Sequence, residues 1–284
     1  MKSVTLNSSA KINLTLGILS KRADGYHELD TVMQAVSVHD VIKLTKKEKG
    51  ITVCTNLPYV PNDSRNTAYK AAKLFFEQTG IDGGIEISVE KNIPVAAGLA
   101  GGSSNAASVL KGMNWLFGTG LTLDELCKMG AKIGADVPFC LMGGAAHATG
   151  IGEKLEKLPK LPQCHIVIAK PPVSVSTPEA YSAWDSLGEE SGKIMYGDMA
   201  QALQAQDIDM VCERMYNDFE RVANIKIPAI AEYKKIMTEF GAKGTLMSGS
   251  GPSVFGIFGI QNQARKAYNE LKKRCREVYI CRPV

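Results

Sequence analysis

Between an alternating stretch, Ile85 to Glu90, and a run whose apolar residues Ala106, Leu110, Met113 and Phe117 recur at three and four lies PVAAGLAGGSSNAA, Pro94 to Ala107, a loop made of small residues. Period two predicts a strand before the loop, and period 3.6 predicts a helix after it. A chain that passes from strand to helix through such residues is committed to a strand, a close-approach loop and a helix whose start faces that loop. Gly98, Gly101 and Gly102 lack Cβ and can take φ > 0, so backbone N–H groups there can come close to an anion. Ser103 and Ser104 open the helix, whose first-turn N–H groups have no carbonyl one turn back. Pro94, Val95, Ala96, Ala97, Gly98, Leu99, Ala100, Gly101, Gly102, Ser103 and Ser104 thus read as a cradle for nucleotide phosphates. No Gly-Lys-Ser/Thr closes the loop and no G-x-G-x-x-G occurs, so it is neither of the common phosphate motifs. The same composition also suits a plain connector ahead of a buried helix, so the rest of the chain must decide.

At 284 residues, two domains are expected, each large enough for a core of its own. The Pro- and Lys-rich LEKLPKLPQ, Leu155 to Gln163, reads as the connection between them. Apolar residues at 45% and charged residues at 22% are those of an ordinary soluble globular protein. A net charge of +4 suits an anionic small molecule and is too weak to argue for nucleic acid. The seven cysteines are odd in number and lack C-x-x-C spacing, and the four histidines lie far apart, so neither a disulfide framework nor a local zinc site is expected. The N-terminus has no apolar core of a signal peptide and no stretch approaches 18 apolar residues; a cytoplasmic protein without membrane partners is expected.

In AKINLTLGI, Ile12, Leu14, Leu16 and Ile18 alternate with Lys11, Asn13 and Thr15, which predicts a half-buried strand carrying Lys11 and Asn13 on one face. KRADGYHE, Lys21 to Glu28, follows as a charged loop turned at Asp24-Gly25. Strands are expected at 41–44 and 51–54, with KKEKG, Lys46 to Gly50, as a solvated hairpin turn between them. Asn66 or Thr67 caps a helix that stops at Gly80, and Thr122 with Glu125 forms a capping box for a helix that stops at Gly134, so that Asp136 emerges just past a helix end. In the second half, strands are expected at 165–169, 245–247 and 254–258, and helices near 200–222, 230–240 and 263–274.

AKINLTL, PVAAGLAGGSSNAA and TLMSGSGPSVFG (Thr245 to Gly256), in this order, resemble the three motifs of the GHMP kinase superfamily of small-molecule kinases. SAKINLTLGILSKRADGYHELDT with IGADVPF further on is similar to the branch of that superfamily that phosphorylates the 2-hydroxyl of a cytidine diphosphate-linked methylerythritol in non-mevalonate isoprenoid biosynthesis. The resemblance covers essentially the whole chain. It implies a two-domain α/β (α+β) GHMP kinase fold: an ATP-binding domain of the ribosomal-protein-S5 domain-2-like type at 1–157 and a ferredoxin-like substrate domain at 158–284. It also implies ATP with Mg2+, since the β- and γ-phosphate charges need neutralising. Phosphoryl transfer rests mainly on positioning and charge neutralisation. Asp136 is the implied general base and Lys11 its charge partner. Asn13, Tyr26, His27 and Tyr181 are implied on the substrate, Tyr26 by stacking on cytosine and His27 by hydrogen bonding to its edge. Asn66 and Lys91 are implied beside adenine, Ser248, Gly249, Ser250 and Gly251 as a support loop, and Ser103 or Ser104 toward the metal. Another GHMP kinase, of the homoserine or mevalonate type, and a non-catalytic nucleotide or sugar sensor are the alternatives.

Overall fold

The computed structural model describes residues 2–188 and 196–284, so the first seven positions of Glu189 to Asp209, for which the sequence suggested no role, lie outside the described residues. The chain groups into two compact units that interleave in sequence: Met1–Ala10, Val38–Val95 and Ala100–Gly143 in one, Lys11–Ser37, Ala96–Leu99 and Gly144–Val284 in the other. Strands β1 (Ser3–Lys21) and β2 (His27–Lys47) contribute residues to both.

In the first unit come β3 (Gly50–Thr55), α1 (Thr67–Thr79), β4 (Gly84–Glu90), α2 (Gly101–Phe117), α3 (Leu123–Ala131) and α4 (Asp136–Met142). β2 pairs antiparallel with β4, Val41 opposite Glu90 through Lys47 opposite Gly84, while β3 pairs with β4 in parallel. KKEKG is therefore not a hairpin turn, because the strands it joins flank β4 on either side. The return from β3 through α1 makes β3 and β4 parallel, as a helical crossover allows and a tight turn does not. Helix α1 begins and ends as the sequence indicates: Asn66 Oδ1 accepts from Ala68 N, and Gly80, in the left-handed region at φ 68°, donates its N–H to the Phe76 carbonyl. The capping box of Thr122 and Glu125 opens α3. That helix stops at Ala131 rather than running to Gly134; Val137 N donates to the Gly134 carbonyl and the chain turns at once into α4, which Asp136 opens. Phe75, Ile85, Ile87, Leu110 and Met113 are fully buried or nearly so in the core. Gly112 sits mid-helix because a Cβ there would lie 2.5 Å from Leu44 Cδ1, so α2 packs closer to the sheet than any larger residue permits.

The second unit continues with β5 (Ala145–Thr149), β6 (Lys154–Leu158), β7 (His165–Lys170), α5 (Thr177–Asp185), α6 (Tyr196–Gln204), α7 (Ile208–Glu213), β8 (Tyr216–Asn217), α8 (Glu220–Lys226), α9 (Pro228–Glu239), β9 (Gly244–Met247), β10 (Val254–Phe258), α10 (Gln261–Lys272) and β11 (Glu277–Cys281). The first part of LEKLPKLPQ is thus strand β6, paired with β5, and the whole segment lies inside the second unit rather than between the two. β5 also pairs antiparallel with β2, Thr31 opposite Ala148 through Gln34 opposite Ala145, and β8 lies parallel to β1 at Thr15 and Leu16. The helical stretch expected over 200–222 is broken between α6 and α7 and again by β8, where Asn217 and the following Asp218 are buried and hydrogen-bonded rather than solvated.

β7, β9, β10 and β11 form an antiparallel sheet in the order β11-β7-β10-β9. Taken in chain order these strands stand 4-1-3-2, with helices between the first and second and α10 between the third and fourth, which is the ferredoxin-like arrangement. Leu16, Ile18 and Leu29 join Val167, Met237, Val254, Phe258 and Leu271 in its core. The chain's last residues return to β2: Val284 N donates to the Ala35 carbonyl at 3.1 Å and Ser37 N to that of Arg282 at 2.9 Å. Among the described residues no helix is long and apolar enough to cross a membrane.

Candidate active site

Three segments far apart in sequence meet in the second unit. Lys11 N donates to the Leu99 carbonyl at 3.2 Å, and Ser248 Oγ donates to the Gly98 carbonyl at 3.0 Å. A Cβ placed on Gly249 would stand 3.1 Å from Gly98 O, 3.3 Å from Lys11 Nζ and 3.4 Å from Asn13 Oδ1. The alternating strand at the N-terminus, the glycine loop and the late glycine loop therefore share one locus.

Lys11 and Asn13 lie on one strand face, as expected, but that face is buried too. Lys11 Nζ donates to Asn13 Oδ1 at 2.7 Å, Asn13 Nδ2 donates to Thr31 Oγ1 at 2.8 Å, and Thr31 Oγ1 donates to the Thr15 carbonyl at 2.5 Å. Asn13 thus spends its amide on aiming Lys11, and the chain of bonds anchors both on β1 and β2. A buried ammonium is costly without such partners.

The late loop is the tight connection between β9 and β10. Ser248 N donates to Ser253 O and Gly251 N to Ser248 O, and Asn217 Nδ2 donates to the carbonyls of Met247 at 2.7 Å and Gly249 at 2.9 Å. Ser248 and Gly249 thus line the shared locus, whereas Ser250 Oγ lies 3.3 Å from Thr177 Oγ1 at the start of α5. Gly249 and Gly251 hold positive φ, which the loop requires.

In the glycine loop only Gly98, at φ 74°, uses the left-handed freedom expected of three glycines; Gly101 and Gly102 are helical, and Ala96 and Ala100 take φ of 51° and 56° instead. The reason is that α2 begins at Gly101, two residues before Ser103, with Ala100 as a cap that has no side-chain oxygen to offer. Gly101 and Gly102 serve through space: Cβ atoms there would stand 3.1 Å from Ile93 Cγ2 and 3.3 Å from Thr67 Oγ1. The first N–H groups of this 17-residue helix have no partner one turn back, and its first turn holds no acidic residue.

Beneath this helix start Asp40, fully buried, accepts from Lys91 Nζ, from Asn105 Nδ2 at 2.7 Å and from the backbone N–H groups of Asn92 and Ile93, each at 2.7 Å. Lys91 is therefore a buried partner of Asp40 and Asn105, and Asn66 a helix cap that also donates to the Pro61 carbonyl. Ser104 Oγ donates to the Ser9 carbonyl at 2.6 Å and lies 2.7 Å from Ser8 Oγ. Ser103 is less buried, and its Oγ stands 3.7 Å from where a Gly134 Cβ would be, beside the turn that delivers Asp136. Among the described residues no group of three His, Cys, Asp or Glu side chains is arranged to hold a metal ion.

In the RADGYHE loop, Tyr26 is 60% exposed whereas His27 is buried. The His27 ring stacks on Tyr181 at 4.6 Å and 12°, Tyr181 meets Phe219 edge-on at 4.9 Å, and His27 Nε2 lies 2.7 Å from Asp185 Oδ1. Lys21, and after it His27, holds the Asp185 carboxyl below the usual carboxylate range. The thiols of Cys164 and Cys212 are pushed up to about 12 by burial, so neither is a thiolate near neutral pH. Sequence reasoning missed Thr31, Asp40, Asp185 and Asn217. Thr31 ends the N-terminal motif but is not marked there by chemistry of its own; Asp40, Asp185 and Asn217 stand in no motif, and the partners that fix all four come from distant positions.

The GHMP kinases N terminal domain model matches residues 66–144 and the GHMP kinases C terminal model residues 199–277. A 4-diphosphocytidyl-2-C-methyl-D-erythritol kinase of Exiguobacterium sibiricum is 47% identical over 280 residues, covering 98% of this chain and 97% of that protein. The chain belongs to the 4-diphosphocytidyl-2-C-methyl-D-erythritol kinase family of GHMP kinases. A crystal structure of a 4-(cytidine 5'-diphospho)-2C-methyl-D-erythritol kinase superposes with a TM-score of 0.85 at 33% identity, covering 99% of both chains. A homoserine kinase from Cytophaga hutchinsonii reaches a TM-score of 0.78 at 22% identity, covering 99% of this chain and 94% of its own, which extends the GHMP kinase fold alone. The two-domain mixed α/β fold implied by the three motifs is thus the fold of this GHMP kinase.

Proposed function

We propose that the protein transfers the γ-phosphoryl group of ATP to the 2-hydroxyl of 4-diphosphocytidyl-2-C-methyl-D-erythritol. The observation that carries this reading is the convergence of Lys11, Asn13, Gly98, Ser248 and Gly249, from three distant segments, at one locus. The near-full-length identity to a kinase of that name supports the choice of acceptor. The N-terminal turn of α2 and the loop before it receive the phosphates, through N–H groups left over at the helix start. Magnesium bound with the nucleotide neutralises charge on the β- and γ-phosphates, and Ser103 is the hydroxyl of this chain we assign to it.

Asp136 accepts the proton of the attacking hydroxyl. Lys11, aimed by Asn13, offsets negative charge at the transferred group. Asn66 and Lys91 act on adenine through the loop and helix they hold, since their own polar atoms are engaged. Tyr26, His27 and Tyr181 receive the cytosine, Tyr26 from the exposed side.

A coupled ADP-release assay with the cytidyl substrate, homoserine and mevalonate tests the proposal. Release with the cytidyl compound alone is expected; release only with either of the others refutes it. Asp136→Asn preserves size but cannot take a proton, so we expect a loss in kcat of about 100-fold or more with ATP affinity held. Retention of half the wild-type rate would leave Asp136 a structural role only.

A further inference from the structure

Asp185 closes α5 and divides its two oxygens between two cations or potential cations. Oδ1 lies 2.7 Å from His27 Nε2, and Oδ2 lies 2.5 Å from Lys21 Nζ. The His27 side chain is only 5% exposed, and its plane is fixed against Tyr181. A carboxylate has lone pairs and no hydrogen to give. With Lys21 holding that carboxyl low, Asp185 is ionised near neutral pH, and the ring nitrogen 2.7 Å from it must carry the hydrogen. In a neutral imidazole the other nitrogen, Nδ1, is then a bare acceptor.

We propose that Asp185 is a specificity-setting positioning residue: by keeping the His27 proton on Nε2 it presents Nδ1 as an acceptor, which selects the 4-amino group of cytosine over the 4-oxo group of uracil. The inference rests on the cytidyl substrate proposed above. An amino donor facing Nδ1 makes a hydrogen bond, whereas a carbonyl oxygen there opposes lone pair to lone pair, and both lose water without return. Tyr181 contributes by holding the ring plane, so that setting the tautomer also sets the direction of the acceptor. Lys21 contributes by taking the second oxygen, which keeps Oδ1 turned toward the imidazole. Stacking on an aromatic face tolerates any base. The tautomer of His27 is what separates two pyrimidines of nearly equal shape.

Two measurements on the intact protein test this, with Asp185→Asn as the variant. Nitrogen-15 NMR of the histidine rings in the ligand-free protein reads the tautomer without any substrate: the wild type is expected to show His27 protonated on Nε2. In Asp185→Asn, whose side chain can donate as well as accept, a mixture is expected. Steady-state kinetics with the cytidyl and uridyl forms then reads selection, and we expect the ratio of their kcat/KM values to fall by about tenfold or more while KM for ATP holds. A purely structural Asp185 would lower both substrates alike and leave the ratio intact, which would overturn the proposal. A wild-type His27 protonated on Nδ1 would overturn it as well. A wild type with the expected tautomer that turns over neither nucleotide form would instead refute the substrate reading, and the selection role with it, while leaving the pairing of Asp185 with His27 in place.

Discussion

Replacing Gly98 with alanine separates two costs that glycine avoids. Gly98 stands at φ 74°, and a Cβ on it would lie 2.1 Å from the Ser248 carbonyl oxygen. Gly144, in the same unit, has a similar φ of 71° with nothing within 4 Å of its absent Cβ. The left-handed conformation alone costs an alanine about 1–2 kcal/mol, and this applies to both. At Gly98 the methyl also collides with backbone that is tied down by the Ser248 and Asn217 hydrogen bonds, which adds about 1–3 kcal/mol by analogy with overpacked cores. We therefore expect Gly144→Ala to lose ~1–2 kcal/mol and Gly98→Ala ~2–5 kcal/mol, read from urea midpoints at unchanged slope. Gly98→Ala should also raise KM for ATP, because the late loop must retreat from the glycine loop to admit the methyl; Gly144→Ala should leave it alone. Equal stability losses in the two variants would show that the close approach of the loops carries no energy, and the reasoning about the shared locus would fail.

Asp40→Asn keeps an acceptor for the Asn92 and Ile93 amides but leaves the Lys91 charge buried without its counter-ion, a loss of about 3–5 kcal/mol by chemical denaturation. Adding Lys91→Met should restore most of that stability, and a double variant as unstable as the single one would contradict the argument. Tyr26→Ala should raise KM for the cytidyl substrate by the equivalent of ~1–3 kcal/mol of lost stacking and leave stability unchanged, since the ring is exposed, whereas Tyr26→Phe should be nearly silent. An unchanged KM in Tyr26→Ala would remove that residue from the site.

Where a local signal suffices, the sequence is a good guide. Asn66 and Gly80 bracket α1, and Thr122 with Glu125 opens α3, because capping is settled by residues within one turn. Strand β10 likewise starts and stops where its apolar run does. The glycine loop is legible as a loop but not in its conformation: Ala96 and Ala100 adopt positive φ although glycines stand nearby, because the start of α2 decides which residues become helical. Lys11 and Asn13 look like the solvated face of a strand and are buried, since cover on that face comes from distant residues such as Thr31 and Gly249. Asp185 is invisible for the same reason, its partner His27 standing 158 positions away. Position on a strand or helix follows from neighbours in sequence; what a side chain faces does not.

The closing of β2 by the last residues has a consequence during synthesis. Gln34 Nε2, which also donates to the Ala35 and Gly144 carbonyls, reaches the carbonyl of Val284 across 250 positions, and the Ala35 carbonyl and the Ser37 N–H are paired with Val284 N and the Arg282 carbonyl. At about 5–20 residues per second, the ribosome needs on the order of 10–50 s to travel from one partner to the other. Through that interval this edge of β2 has its permanent partners still unmade, at a place where an unpaired strand edge invites the wrong neighbour. A chain lacking residues 282–284 would retain each described element from β1 to β11 and still expose that edge. Loss of residues 282–284 is therefore expected to open this strand edge to misassembly.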